Sequence, residues 1–144
     1  MTSTNLAEFQ SKFRVSDLAI HSTDHWTWSV RPVHSTLGAG ILSLNRFADS
    51  FGEITAEEGA DLAVMTRHIE SRLGEVFSPQ KMNYIMLMMV DSHLHFHVLP
   101  RYAADKEFAE LLWVDSGWPT PPTLTDNADR AESPALLQIR DALK

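Results

Sequence analysis

Apolar positions along the chain follow two periods. Leu6, Phe9 and Phe13 lie three and four apart and predict the apolar edge of a short opening helix. Two extended stretches follow, Asp17–His21 and Trp26–Val30, the second rich in Trp and Thr and stopped by Arg31-Pro32. Ala39–Leu44 reads as a further strand after the breaker Gly38. From Ala56 to about Phe77 the period lengthens: Leu62, Met65, Ile69, Leu73 and Val76 step by three and four. Thr55 and Glu58 stand at capping-box spacing, and Ser78-Pro79 ends the run. This predicts one long helix. Met82–Val90 is apolar at nearly every position, the pattern of a strand covered on both faces, and its four methionines read as core filling.

Asp91-Ser92 then predicts a tight connection into a strand from His93 to about Leu99. Beyond Tyr102 the pattern loosens. A short helical piece is expected around Lys106–Leu112, a loop over Gly117-Trp118-Pro119-Thr120-Pro121-Pro122, and a mobile polar stretch over 126–132. Ser133-Pro134 opens a final helix, Ala135–Leu143. The elements together predict several strands, one long helix and shorter terminal helices. A single domain is expected over 1–144, with its core at about 10–102 and a C-terminal extension at 103–144.

Composition narrows the function. Hydrophobic residues at 44% and charged residues at 22% fit one folded unit of 144 residues. A formal net charge of −7 argues against a nucleic-acid partner, which needs a basic face to displace counterions, so any small anionic ligand requires a few cations gathered locally. The absence of cysteine excludes disulfides, thiolate metal sites and a cysteine nucleophile. The first ten residues include Glu8 and no apolar h-region, and the apolar run Tyr84–Val90 is too short to span a bilayer. A soluble, cytoplasmic protein without a membrane partner is expected.

The chemistry concentrates in His93-Leu94-His95-Phe96-His97-Val98-Leu99. In a strand, alternate side chains share a face, so the three imidazoles are presented together while Leu94, Phe96 and Val98 anchor the other side. Three readings are open. The histidines could be half-buried polar residues of a wet sheet face. They could chelate zinc, although the outer pair of a straight strand are about 13 Å apart at Cα, which strains a shared ion with bonds of about 2.0 Å. Or a neutral imidazole could attack an electrophilic phosphorus, its second nitrogen donating a hydrogen bond that sets the tautomer while its neighbours stabilise charge.

The same residues, continued by Pro100-Arg101, resemble the histidine-triad (HIT) family, in which three histidines alternate with hydrophobic residues. The resemblance extends in layout over roughly residues 10–102. It implies an α+β HIT-like fold with an antiparallel sheet, commonly a homodimer, acting on nucleotides at the α-phosphate without a cofactor or metal. By motif position it implies His95 as the nucleophile that becomes nucleotidylated, with His93 and His97 assisting and the His97 carbonyl orienting His95. The family often carries Gly-Gln-Ser or Gly-Gln-Thr before the triad, where this chain has Met88-Met89-Val90-Asp91-Ser92, so a divergent subgroup is expected. His34 stands near the place of an upstream histidine, and Ser29 near that of a ribose-binding acid. Candidate nucleotide-binding residues are therefore His34, Ser29, Arg31, Arg101 and Ser92, with Arg46 a further possible phosphate partner. The expected activity is a nucleotide hydrolase or nucleotidyl transferase; the alternatives are a noncatalytic nucleotide-binding dimer and a metal-dependent hydrolase.

Overall fold

In the computed structural model, which describes residues 2–144 with side chains from Asn5 onward, the long apolar stripe forms the helix α2, Ala56–Val76. Its start is a full capping box: the Thr55 hydroxyl accepts from the Glu58 amide, and the Glu58 carboxylate accepts from the Thr55 amide. Met65, Ile69 and Leu73 are buried against a five-stranded sheet. The sheet contains β1 (Ala19–Ser22), β2 (Trp26–Val30), β3 (Gly40–Leu44), β4 (Lys81–Ile85) and β5 (His95–Arg101). Its order is β1-β2-β3-β5-β4, and every neighbouring pair is antiparallel. The long helix expected from the periodicity and the α+β antiparallel architecture implied by the resemblance are both observed.

Strand alternation divides the sheet into two unlike faces. Trp26, Trp28, Val30, Leu42, Leu44 and Val98 join the main core with α2 and the C-terminal helix α3, Ala135–Leu143. The opposite face carries Ser29, Ile41, Ser43, His95 and His97, with Ile41 opposite His97 and Ser43 opposite His95. The opening helix α1, Thr2–Lys12, lies on this second face, where Phe9, Phe13 and Val15 cluster with Ile41. Gly40 permits the close approach of β2 and β3, since a Cβ there would sit 2.8 Å from Trp28 Nε1 and 2.9 Å from the Ser29 carbonyl.

Three elements differ from expectation. Met82–Val90 is not one doubly covered strand: β4 ends at Ile85, and residues 86–90 leave the sheet as a loop on which Leu87, Met89 and Val90 are exposed. Continuous hydrophobicity cannot distinguish a buried strand from an apolar loop. Lys106–Leu112 is not helical but supplies a hairpin, β6 (Lys106–Phe108) and β7 (Leu111–Trp113). Its turn residues Ala109 and Glu110 both have positive φ, a two-residue hairpin turn without the Asn-Gly that normally signals one. The stretch expected to be mobile is tied down: Asn127 donates to the Ser35 carbonyl, and Arg130 stacks on Trp113 while donating to the Leu112 carbonyl.

Candidate active site

The row of histidines starts before its strand. His93 precedes β5, His95 opens it and His97 lies two residues on, yet all three are buried. Their hydrogen bonds set three different states. His93 donates from Nε2 to the Leu44 carbonyl at 2.8 Å and accepts at Nδ1 from the Ala48 amide at 3.4 Å, so both nitrogens are in use. His95 donates from Nδ1 to the His93 carbonyl at 2.6 Å, which places its lone pair on Nε2. His97 accepts at Nδ1 from Arg31 Nε at 3.1 Å, which places its proton on Nε2. The carbonyl that orients His95 is thus that of His93, not of His97 as the motif comparison implied, because the Nδ1 edge turns back along its own strand.

Burial keeps these rings neutral. It lowers His93 and His95 below the ordinary histidine range, and burial together with the adjacent Arg31 charge lowers His97 to about 4. At neutral pH His95 therefore has an available lone pair, and His97 offers an N–H without a positive charge.

α1 covers the row. The Phe9 ring lies 4.9 Å from that of His93 and 4.8 Å from that of His95; Phe13 lies 5.7 Å from His95 and 6.4 Å from His97. Lys12 anchors the end of this helix by donating to both oxygens of Asp91, at 2.8 and 3.0 Å. His95 is only 1% exposed. It and His97 line a cleft of about 360 Å³ together with Phe13, Arg31, the loop 87–91 and Leu124.

Arg31 follows β2 and reaches into this cleft. It is held by His97, by the Val33 carbonyl at 2.7 Å and by the Leu124 carbonyl at 2.7 Å, so the C-terminal segment helps aim it. No carboxylate pairs with it among the described residues, and burial lowers its pKa to about 10. A buried guanidinium without a counter-ion favours an anionic ligand. Asp91, which would repel phosphate alone, is neutralised by its pairing with Lys12, so Arg31 sets the charge of the cleft.

The other binding candidates lie elsewhere. His34 is fully buried: its Nδ1 donates to the Arg31 carbonyl, its Nε2 accepts from the Gly38 amide at 2.8 Å, and its ring packs edge-on to Trp113. It closes the turn after β2 and does not line the cleft. Arg101 forms a bidentate pair with Asp115 and also holds Asn83 and the Thr120 carbonyl. Arg46 is likewise committed to Glu58. Ser29 is fully buried with no partner for its hydroxyl. Ser92 is exposed and lines an adjoining hollow of about 170 Å³ with His93 and Glu8, which shares Lys12, Val90 and Asp91 with the cleft. Of the five nucleotide-binding candidates, the cleft contains Arg31. Sequence reasoning missed Phe13, Lys12 and Leu124, which long-range folding brings there and no local pattern marks.

Among the described residues, no cluster of three or more His, Asp or Glu is arranged to hold a metal ion, and no helix is long and apolar enough to cross a membrane.

A HIT domain family model matches residues 43–104, which include the whole histidine row. No curated protein sequence matches the chain. Among solved structures, a hypothetical histidine triad nucleotide-binding protein from Sulfolobus tokodaii is 13% identical, with a TM-score of 0.64 over 97% of this chain and 91% of that one. A histidine triad protein from Bradyrhizobium japonicum is 18% identical, with a TM-score of 0.59 over 90% of this chain and 91% of its own. A HIT family protein from Bacillus anthracis is 17% identical, with a TM-score of 0.55; the match covers 59% of this chain and 64% of that one. At these identities the structural matches speak to the fold, and the family model speaks to the motif. Residues 43–104 match the HIT domain, and the chain is similar in fold to these solved histidine triad proteins.

Proposed function

We propose that this chain is a nucleotide hydrolase or nucleotidyl transferase acting at an α-phosphate, with His95 as the nucleophile. The observation that carries the reading is the His95 tautomer. Nδ1–H is committed to the His93 carbonyl, and Nε2 keeps its lone pair beside a cleft containing an uncompensated guanidinium. In the first step Nε2 forms a bond to phosphorus as the bond from phosphorus to the leaving group breaks, and the leaving group departs with the electron pair. Arg31 offsets the charge gathering on the phosphoryl oxygens, and His97 donates a hydrogen bond from Nε2–H. In the second step water or an acceptor hydroxyl attacks phosphorus and the nitrogen–phosphorus bond breaks. The nucleophile's proton passes to solvent, and His95 is neutral again.

The hydrogen bonding favours this route over a histidine metal centre. His93 has both nitrogens occupied by backbone, His95 and His97 each have one in use, and a guanidinium lies against His97. A cation placed among them would meet that positive charge. A noncatalytic nucleotide-binding domain is the second reading, supported by the Phe9 and Phe13 rings that lie over His95. The nucleotide-binding description of the Sulfolobus protein is compatible with both.

We also propose a homodimer. β4 is an edge strand with partly buried side chains and one row of unpaired backbone groups.

The test is a panel of dinucleoside polyphosphates, nucleoside phosphoramidates and adenylates, scored for monophosphate release with and without a chelator. The catalytic reading predicts release that survives the chelator and is lost in His95→Ala. Measurable nucleotide affinity without release from any member would favour the binding domain instead.

A further inference from the structure

The cleft beside His95 has two unlike walls. One carries Arg31, which is 8% exposed and has no carboxylate partner among the described residues. The facing wall is the loop after β4, where Leu87 is 52%, Met89 83% and Val90 89% exposed. Exposed apolar side chains grouped beside a buried charge are costly in isolation and are compatible with a ligand that carries both characters. Over the row itself Phe9 and Phe13 fill the space and Ser29 beyond it is fully buried, and the hollow at the His93 end is smaller and lined by polar residues such as Asn5, Glu8 and Ser92.

We propose that the cleft selects organophosphates by an apolar or aromatic group, which lies against Leu87 and Met89 while the phosphoryl group binds Arg31. This rests on the phosphoryl-transfer reading of the same site and adds to it the side from which the substrate's organic group enters and the residues that choose it. The loop that replaces a polar phosphate-binding segment thereby has a recognition role. Arg31 supplies affinity common to all phosphates; Leu87 and Met89 discriminate among them.

Phosphonates, whose carbon–phosphorus bond has no leaving oxygen, separate this proposal from catalysis. Binding of phenylphosphonate and methylphosphonate to the intact chain is measured by titration calorimetry. Phenylphosphonate is expected to bind about tenfold more tightly, the factor that about 1.4 kcal/mol of apolar burial supplies. In Leu87→Ser/Met89→Ser the two ligands should bind alike, and in Arg31→Gln both should weaken by about tenfold or more, as loss of a charged hydrogen bond predicts. Since Leu87 and Met89 are exposed, the double variant should fold even where Arg31→Gln does not. Equal affinities in the wild type would overturn the proposal. So would an unchanged preference in the double variant, or a change in its mass by light scattering without a change in ligand preference, which would make the loop a contact between copies. Because neither ligand turns over, a failed His95 mechanism would leave these outcomes intact.

Discussion

Arg31 donates its Nε–H to Nδ1 of His97 at 3.1 Å, across 66 residues of sequence. This bond fixes the tautomer of one histidine and positions a cation beside another, so the two residues act as a unit on whatever enters the cleft. A guanidinium is required, since a lysine ammonium cannot hold His97, the Val33 carbonyl and the Leu124 carbonyl in one plane. Arg31→Lys is expected to lower kcat/KM by about tenfold to a hundredfold, the scale of one or two charge-assisted hydrogen bonds. Steady-state kinetics on the panel above checks it; kinetics equal to wild type would remove Arg31 from the mechanism.

The pH profile follows from the direction of the His95 shift. Protonation removes the Nε2 lone pair, and burial lowers the pH at which that happens. Activity should therefore be constant through neutral pH and decline on the acid side with an apparent pKa below about 6.5, the ordinary histidine value. An acid limb centred above that value would contradict a buried neutral nucleophile.

Stability should fall along the same axis. His34 is lowered to about 3 and His97 to about 4 by burial, while the unfolded chain takes up protons near 6.5. Below pH 6.5 the unfolded state binds more protons, so stability is fully present above that pH and is lost as pH falls toward 4 and 3. Each such group contributes a slope of up to about 1.4 kcal/mol per pH unit. Glu58, lowered to about 2 by its hydrogen bonds with Arg46, adds a further loss below pH 4.5. Urea denaturation at pH 7 and pH 5 measures this, and equal stability at the two would show that the histidines are not buried.

Helix α1 should govern access to the histidines. Lys12 holds Asp91 in a partly exposed ion pair, and such pairs contribute up to about 1 kcal/mol. Lys12→Ala is expected to raise the population with α1 detached by up to about fivefold. Diethyl pyrocarbonate should then modify His95 faster, while His34, held inside the fold, remains unreactive. Identical His95 modification rates in the two proteins would mean that α1 does not control access.

Arg101 was expected to touch the nucleotide and instead holds Asp115 inside the protein. Arg101→Ala leaves a buried carboxylate unpaired and is expected to destabilise the fold by about 3–5 kcal/mol. At a temperature where the variant remains folded, KM should be unchanged. A raised KM with unaltered stability would return Arg101 to the binding site.

The strands, the long helix and the histidine row were legible because each is a local pattern: period two in Trp26–Val30, period 3.6 with a capping box in Ala56–Val76, and alternation in His93–Leu99. The cleft was only partly legible. Arg31 could be named as a cation, but nothing nearby in sequence reveals that Leu124 aims it or that Phe13 lines the same cleft. Met82, Met86 and Met88 pack against the main core as core filling requires, but apolarity alone does not show that the segment leaves the sheet after Ile85 with Leu87, Met89 and Val90 exposed. His34 misled by proximity: its ring turns toward Gly38 and Trp113, where it closes a turn.

The most direct test of the account is a search for the covalent intermediate. The protein is mixed with an adenylate or a dinucleoside polyphosphate that it turns over, quenched at alkaline pH to preserve the phosphorus–nitrogen bond, digested and analysed by mass spectrometry. The account predicts a nucleotidyl group on the peptide containing His95, assigned by fragmentation to that residue, which disappears in His95→Ala together with turnover. Turnover that persists in His95→Ala, with the adduct on another residue or on none, would contradict it.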